Sequence, residues 1–87
     1  MPWRTLAIQY SVQARRDFKA LERAIAVRVR AGITKYAETG AGDVKHLQGS
    51  ADFRLRVGDY RVRFAIVDGH VLVMLVMRIG HRREVYR

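Results

Sequence analysis

Five arginines between residues 54 and 78 carry most of the chemistry this sequence can offer: Arg54, Arg56, Arg61, Arg63 and Arg78. A guanidinium is always charged, and its planar fork of N–H donors matches the oxygens of a phosphate or carboxylate. A group of them within one short stretch therefore reads as an anion site. Two residues further on can add to it. His81 is the one side chain near the arginine face whose ordinary pKa lies near neutrality, which suits it to give or take a proton. Tyr86 has a flat ring able to stack on a nucleic-acid base.

The stretch from Phe53 to Tyr86 must hold these groups in place. Its apolar residues alternate, and two turn signals interrupt them, Gly58-Asp59 and Asp68-Gly69. Asp-Gly is the stronger hairpin signal and Gly-Asp the weaker. Two-residue turns at both sites give a three-stranded antiparallel meander in which Leu55 faces Val62 and Phe53 faces Phe64. The same register sets Ile66 against Val71, Phe64 against Val73, Val62 against Leu75 and Tyr60 against Met77. These residues make the core side. On the other side Arg54 lies opposite Arg63 and Arg56 opposite Arg61, with Arg78 one strand over from Arg61. Like charges directly opposed on a sheet cost ~0.2–1 kcal/mol per pair, which an anion would offset. Ala65, Val67, Leu72, Met74 and Val76 fall on that same side, towards the second hairpin. They form an apolar patch of the kind a protein partner covers.

Upstream, Trp3 to Tyr10 alternates as a short first strand, and Ser11 is placed to cap a helix. From Val12 to Thr39 the period becomes helical, with Phe18, Leu21, Ile25, Val29, Ile33 and Tyr36 on one stripe. One helix of that length would run about 42 Å, so a helical hairpin broken between Leu21 and Ala24 is expected. Thr39 to Ser50 reads as a loop, with Gly40, Gly42 and Gly49 as breakers. It lacks the spacing and the strand–helix context of a phosphate-binding loop. The expectation is a small two-layer α+β domain spanning 1–87: an N-terminal strand, a helical hairpin and a three-stranded meander, β-α-α-β-β-β.

Composition narrows the function classes. The chain has 87 residues and no cysteine, which removes disulfides, thiolate metal sites and a cysteine nucleophile. Seventeen Lys plus Arg against eight Asp plus Glu leave a net charge of +9, and 14 of the 17 cations are Arg. A sequence pI near 11.1 favours a polyanionic or acidic partner. No apolar run approaches the ~18 residues of a membrane span and none resembles a signal peptide, so a cytoplasmic protein without membrane contact is expected.

Lys45-x-Leu47-x-Gly49, Arg54-x-Arg56-x-Gly58-Asp59-Tyr60-Arg61-Val62-x-Phe64 and Gly80-His81-Arg82-Arg83-x-Val85-Tyr86 resemble the RelE/ParE toxins of bacterial toxin–antitoxin modules. The resemblance runs the length of the chain and implies the same order of elements. It implies one of two activities. RelE-like toxins cut messenger RNA on the ribosome by turning a ribose 2′-hydroxyl on the adjacent phosphate. ParE-like toxins poison DNA gyrase without catalysis of their own. The first is the expected activity here, that of a metal-independent, cofactor-free endoribonuclease. The second is the alternative, and a non-catalytic nucleic-acid-binding module a third.

Carried over by position, Arg61 falls on the phosphate-binding arginine, Arg82 on the arginine near the leaving group and Tyr86 on the base-stacking tyrosine. His81 resembles the acid histidine of some relatives. Arg54, Arg56, Arg63, Arg78 and Lys45 would hold RNA phosphates. Arg54 and Arg56 stand where RelE has lysines; as arginines they stay protonated and act as phosphate holders rather than bases. The implied partners are mRNA with the ribosome and an acidic antitoxin laid over the arginines and over Leu72, Met74 and Val76.

Overall fold

The computed structural model describes residues 3–81. Strand β1 (Ala7–Tyr10) leads into two helices, α1 (Val12–Ala20) and α2 (Arg23–Thr39). Four strands follow: β2 (Asp43–His46), β3 (Phe53–Val57), β4 (Tyr60–Asp68) and β5 (Leu72–His81). They make one five-stranded sheet in the order β1-β5-β4-β3-β2, with β1 parallel to β5 and all other pairs antiparallel. No helix among the described residues is long and apolar enough to cross a membrane.

The helical hairpin forms for local reasons. Ser11 Oγ accepts from the Ala14 amide at 3.0 Å and so caps α1. The chain breaks at Leu21 and Glu22, whose ψ angles of 145° and 143° are extended. Neither Gly nor Pro is needed, because Leu21 packs on the core. Gly40, at φ 76°, ends α2 in the left-handed conformation and donates its amide to Tyr36 O. The expected stripe is the buried one: Val29, Ile33 and Tyr36 are buried, and Phe18, Leu21 and Ile25 pack against them.

The core lies between the helices and one side of the sheet, where Leu55, Val62 and Phe64 are inaccessible to solvent. Phe64 stacks on Phe53 at 5.5 Å and meets Tyr36 at 5.3 Å. Burying a side chain of this size contributes ~1.5–3 kcal/mol. The β3–β4 register is the expected one, from Val57↔Tyr60 to Phe53↔Phe64.

Three expectations need correction. The first strand is shorter than Trp3–Tyr10, because the Trp3 indole and the Leu6 amide both donate to Ala37 O instead of to a strand. The segment expected as a loop contains β2, which pairs with β3 from Asp43↔Arg56 to His46↔Phe53. The third correction concerns the second hairpin. Asp68 pairs with Leu72, so its turn has three residues, Gly69, His70 and Val71. The extra residue reverses which side chains of β5 face the helices. Met74 and Val76 are 0 % exposed in the core and Leu72 packs against it, so these three do not form an open patch. By register, Val73 and Leu75 join Ala65 and Val67 on the open side instead.

Candidate nucleic-acid interface

Two cross-strand rows occupy the open side of the sheet. The first is Lys45 (β2), Arg54 (β3), Arg63 (β4) and Arg78 (β5); the second is Asp43, Arg56, Arg61 and Gly80. A β-bulge between Phe64 and Arg63 makes the first row possible. It skips Met77, which turns Arg78 towards Arg63 while Ile79 goes to the core. Strands lie ~4.8 Å apart, so four cations in line span about 14 Å. A row of that length has the spacing and charge to follow a polyanion. All six basic residues expected to bind phosphate or RNA, Arg61 included, thus share one surface.

Acidic neighbours hold several of these cations. Asp52 Oδ2 lies 2.8 Å from Arg63 and also accepts from its Nε. Asp17 of α1 takes Arg78 Nε at 3.2 Å and the Ile79 amide at 2.8 Å, closing the edge of β5 beyond the end of β1. Asp43 stands 3.6 Å from Arg54, a loose pair. Arg61 is only 9 % exposed, and its Nη1 donates to the Gly58 and Tyr60 carbonyls. Fixed in this way, it loses little freedom when an anion arrives. Arg56 is the exposed member, held by one bond from its Nε to Gly58 O at 3.2 Å. With Arg28 it lines a cleft of about 340 Å³ beside the β3–β4 turn. Gly80, opposite Arg61, adds no side chain there.

The proton-transfer group is not among them. His81 pairs with Tyr60, on the helix side of the sheet, and meets its ring edge-on at 5.8 Å. Strand alternation requires this: Gly80 takes the arginine side, so His81 takes the other. Two tyrosines are also removed as bases. Burial raises the Tyr10 phenol, with Arg30 opposing, and burial raises Tyr36. Arg82 and Tyr86, the other expected catalytic residues, lie outside the described residues. The three aspartates that organise the cations escaped sequence reasoning. Asp17 had a usable signal: it stands three residues after the buried Ala14, an acid on the inner side of its helix.

A two-layer α+β domain with a basic open sheet face defines a small class, and comparison with known proteins narrows it. The model of the family described as ParE toxin of type II toxin-antitoxin system, parDE, matches residues 8–86. The chain belongs to this RelE/ParE toxin family and is a toxin of a type II toxin–antitoxin module. Its fold is similar to a chain in the RelBE2 toxin–antitoxin complex of Mycobacterium tuberculosis (TM-score 0.76, 22% identity, 97% of this chain and 100% of that one). It is also similar to one in the archaeal RelE–RelB complex of Pyrococcus horikoshii (0.73, 21%, 94% and 100%). A third likeness is to the RelB–RelE complex of Methanococcus jannaschii (0.69, 23%, 88% and 93%). A search of curated protein sequences gives no significant match.

Proposed function

We propose that this toxin is a ribosome-dependent mRNA endonuclease, acting in the cytoplasm and held inactive by a cognate antitoxin. The observation that carries the reading is the double row of cations around the rigidly held Arg61. Cleavage is attack of a ribose 2′-oxygen on the adjacent phosphorus. The P–O5′ bond breaks, leaving a 2′,3′-cyclic phosphate and a 5′-hydroxyl. Charge builds on the non-bridging oxygens, and Arg61 and Arg56 are placed to offset it. With His81 across the sheet, orientation and charge stabilisation bear the larger share: Arg82, always protonated, offsets charge on the leaving 5′-oxygen, and the 2′-hydroxyl proton is carried to that oxygen within the ribosome-bound substrate. The three solved relatives are toxin–antitoxin complexes. An acidic antitoxin segment suits the arginine rows and the neighbouring Val67, Val73 and Leu75.

Induction in cells with mapping of transcript 5′ ends tests this. New ends within coding regions are expected, reduced about 10²–10³-fold in Arg61→Ala and strongly in Arg82→Ala. Unchanged ends and toxicity in both variants would overturn it. One observation favours a second reading, inhibition of DNA gyrase by binding alone: no histidine of the paired strands lies in the two arginine rows among the described residues. Blocked supercoiling by purified gyrase, with transcripts intact, would select that reading.

A further inference from the structure

The β2–β3 connection forms a separate cleft of about 310 Å³, lined by Lys45, His46, Leu47, Gln48 and Arg54. This is the size of the smaller ligand sites, which start near ~300 Å³. Its walls are fixed by the turn itself. The Leu47 amide donates to Asp52 O at 2.9 Å, the Ser50 amide to Leu47 O at 3.2 Å, and the Asp52 amide to Ser50 Oγ at 3.0 Å. Arg54, its side chain 14 % exposed, has a buried Nε with no hydrogen-bond partner among the described residues. Its Asp43 neighbour is 59 % exposed and, at 3.6 Å, too far for a hydrogen bond. An N–H buried without an acceptor is costly, so this guanidinium is short of an anion. The cleft also continues the cation row at its Lys45 end, and it adds what the row lacks: an apolar wall at Leu47 and an amide at Gln48.

We infer that this cleft is a nucleotide subsite on the RNA track, one position along from the phosphate held by Arg56 and Arg61. Lys45 and Arg54, released from Asp43, take the phosphate. The base lies on Leu47, and the Gln48 amide offers its edge one acceptor and two donors. A site of this composition reads sequence as well as charge, which makes Gln48 a specificity-determining residue. The inference rests on the RNA reading above.

The test uses the full chain and single-stranded heptaribonucleotides carrying 2′-O-methyl groups, which cannot be cut, with binding followed by fluorescence anisotropy over a range of salt. Lys45→Ala should weaken binding about 10-fold and lower the salt slope by about one. Gln48→Ala should leave the slope unchanged and level the affinities of oligonucleotides differing at one base, a shift of about 5- to 10-fold. Asp43→Asn should tighten binding several-fold, a gain that a misfolded variant cannot give. If these three variants bind as wild type while Arg56→Ala loses binding, the subsite is overturned and the RNA reading stands. If the wild-type chain binds none of the oligonucleotides, the subsite is overturned, while the mRNA reading stands or falls on the transcript 5′ ends. Lys45-dependent binding of a Glu-rich decapeptide, with RNA affinity indifferent to Gln48→Ala, would make the cleft a peptide site and overturn the inference.

Discussion

The β3–β4 and β4–β5 hairpins share a strand and differ in almost everything else. The first turns in two residues, with Gly58 at φ 61° and Asp59 not positive, the pattern of a type II′ turn. Its register is unbroken. The second turns in three residues, its Gly69 needs no positive φ, and a bulge interrupts its register at Met77. Each odd residue exchanges the two sides of a strand. The longer turn sends Met74 and Val76 inward, and the bulge then brings Arg78 back out to Arg63. Loop length in one hairpin therefore decides what the core contains, and one bulge decides whether the cation row is complete.

Charge substitutions on β5 test this difference most strongly. Met74→Asp places a carboxylate in the core and should cost more than about 4 kcal/mol, enough to unfold a small domain. Leu75→Asp, on the open side, should cost under about 1 kcal/mol. Urea denaturation distinguishes them, and the reverse order would restore the two-residue turn. Next in size is Asp17→Ala, which strips the acceptor from the Ile79 amide below the bulge and should cost about 1–3 kcal/mol. Faster hydrogen exchange of that amide is the direct readout.

The two turns should also respond differently to alanine. Gly58→Ala forces a side chain into left-handed backbone, with Arg28 Nη2 3.4 Å from the new Cβ, and should cost about 1–2 kcal/mol. Gly69→Ala should stay within about 0.5 kcal/mol. Equal effects would mean that the second turn is left-handed too. A modest effect is expected at Ser11, which caps α1 and donates its hydroxyl to Met77 O at the bulge. Ser11→Ala should lower stability by about 1 kcal/mol, and the Arg78 side-chain resonance should shift if the bulge loosens.

Where pattern carried information, the sequence was readable. The helical stripe, the Ser11 cap and the first hairpin each had one arrangement that buried the apolar residues. Strand β5 had two. Leu72 to Met77 is apolar without a break, so alternation is silent on which side faces the helices, and only the turn length decides. The strength of the Asp-Gly signal misled there. Strand β2 was missed because it is four residues of mainly polar character held by pairing with β3. At the interface the Arg54–Arg63 and Arg56–Arg61 pairs followed from the first hairpin alone, whereas Arg78, expected beside Arg61, reached Arg63 only through the bulge. Lys45 joined them only through β2, and the placement of His81 depended on the bulge.

The sheet's two outer strands, β1 and β2, are each four residues long, and Asp17 occupies the stretch of β5 edge that β1 leaves bare. Exposed edges template pairing between chains, and short ones do so poorly. A protein with a broad apolar and cationic sheet surface is thereby kept from adding strands to copies of itself. What the sheet leaves open is the side chains on its face, while its backbone offers little to any strand that passes.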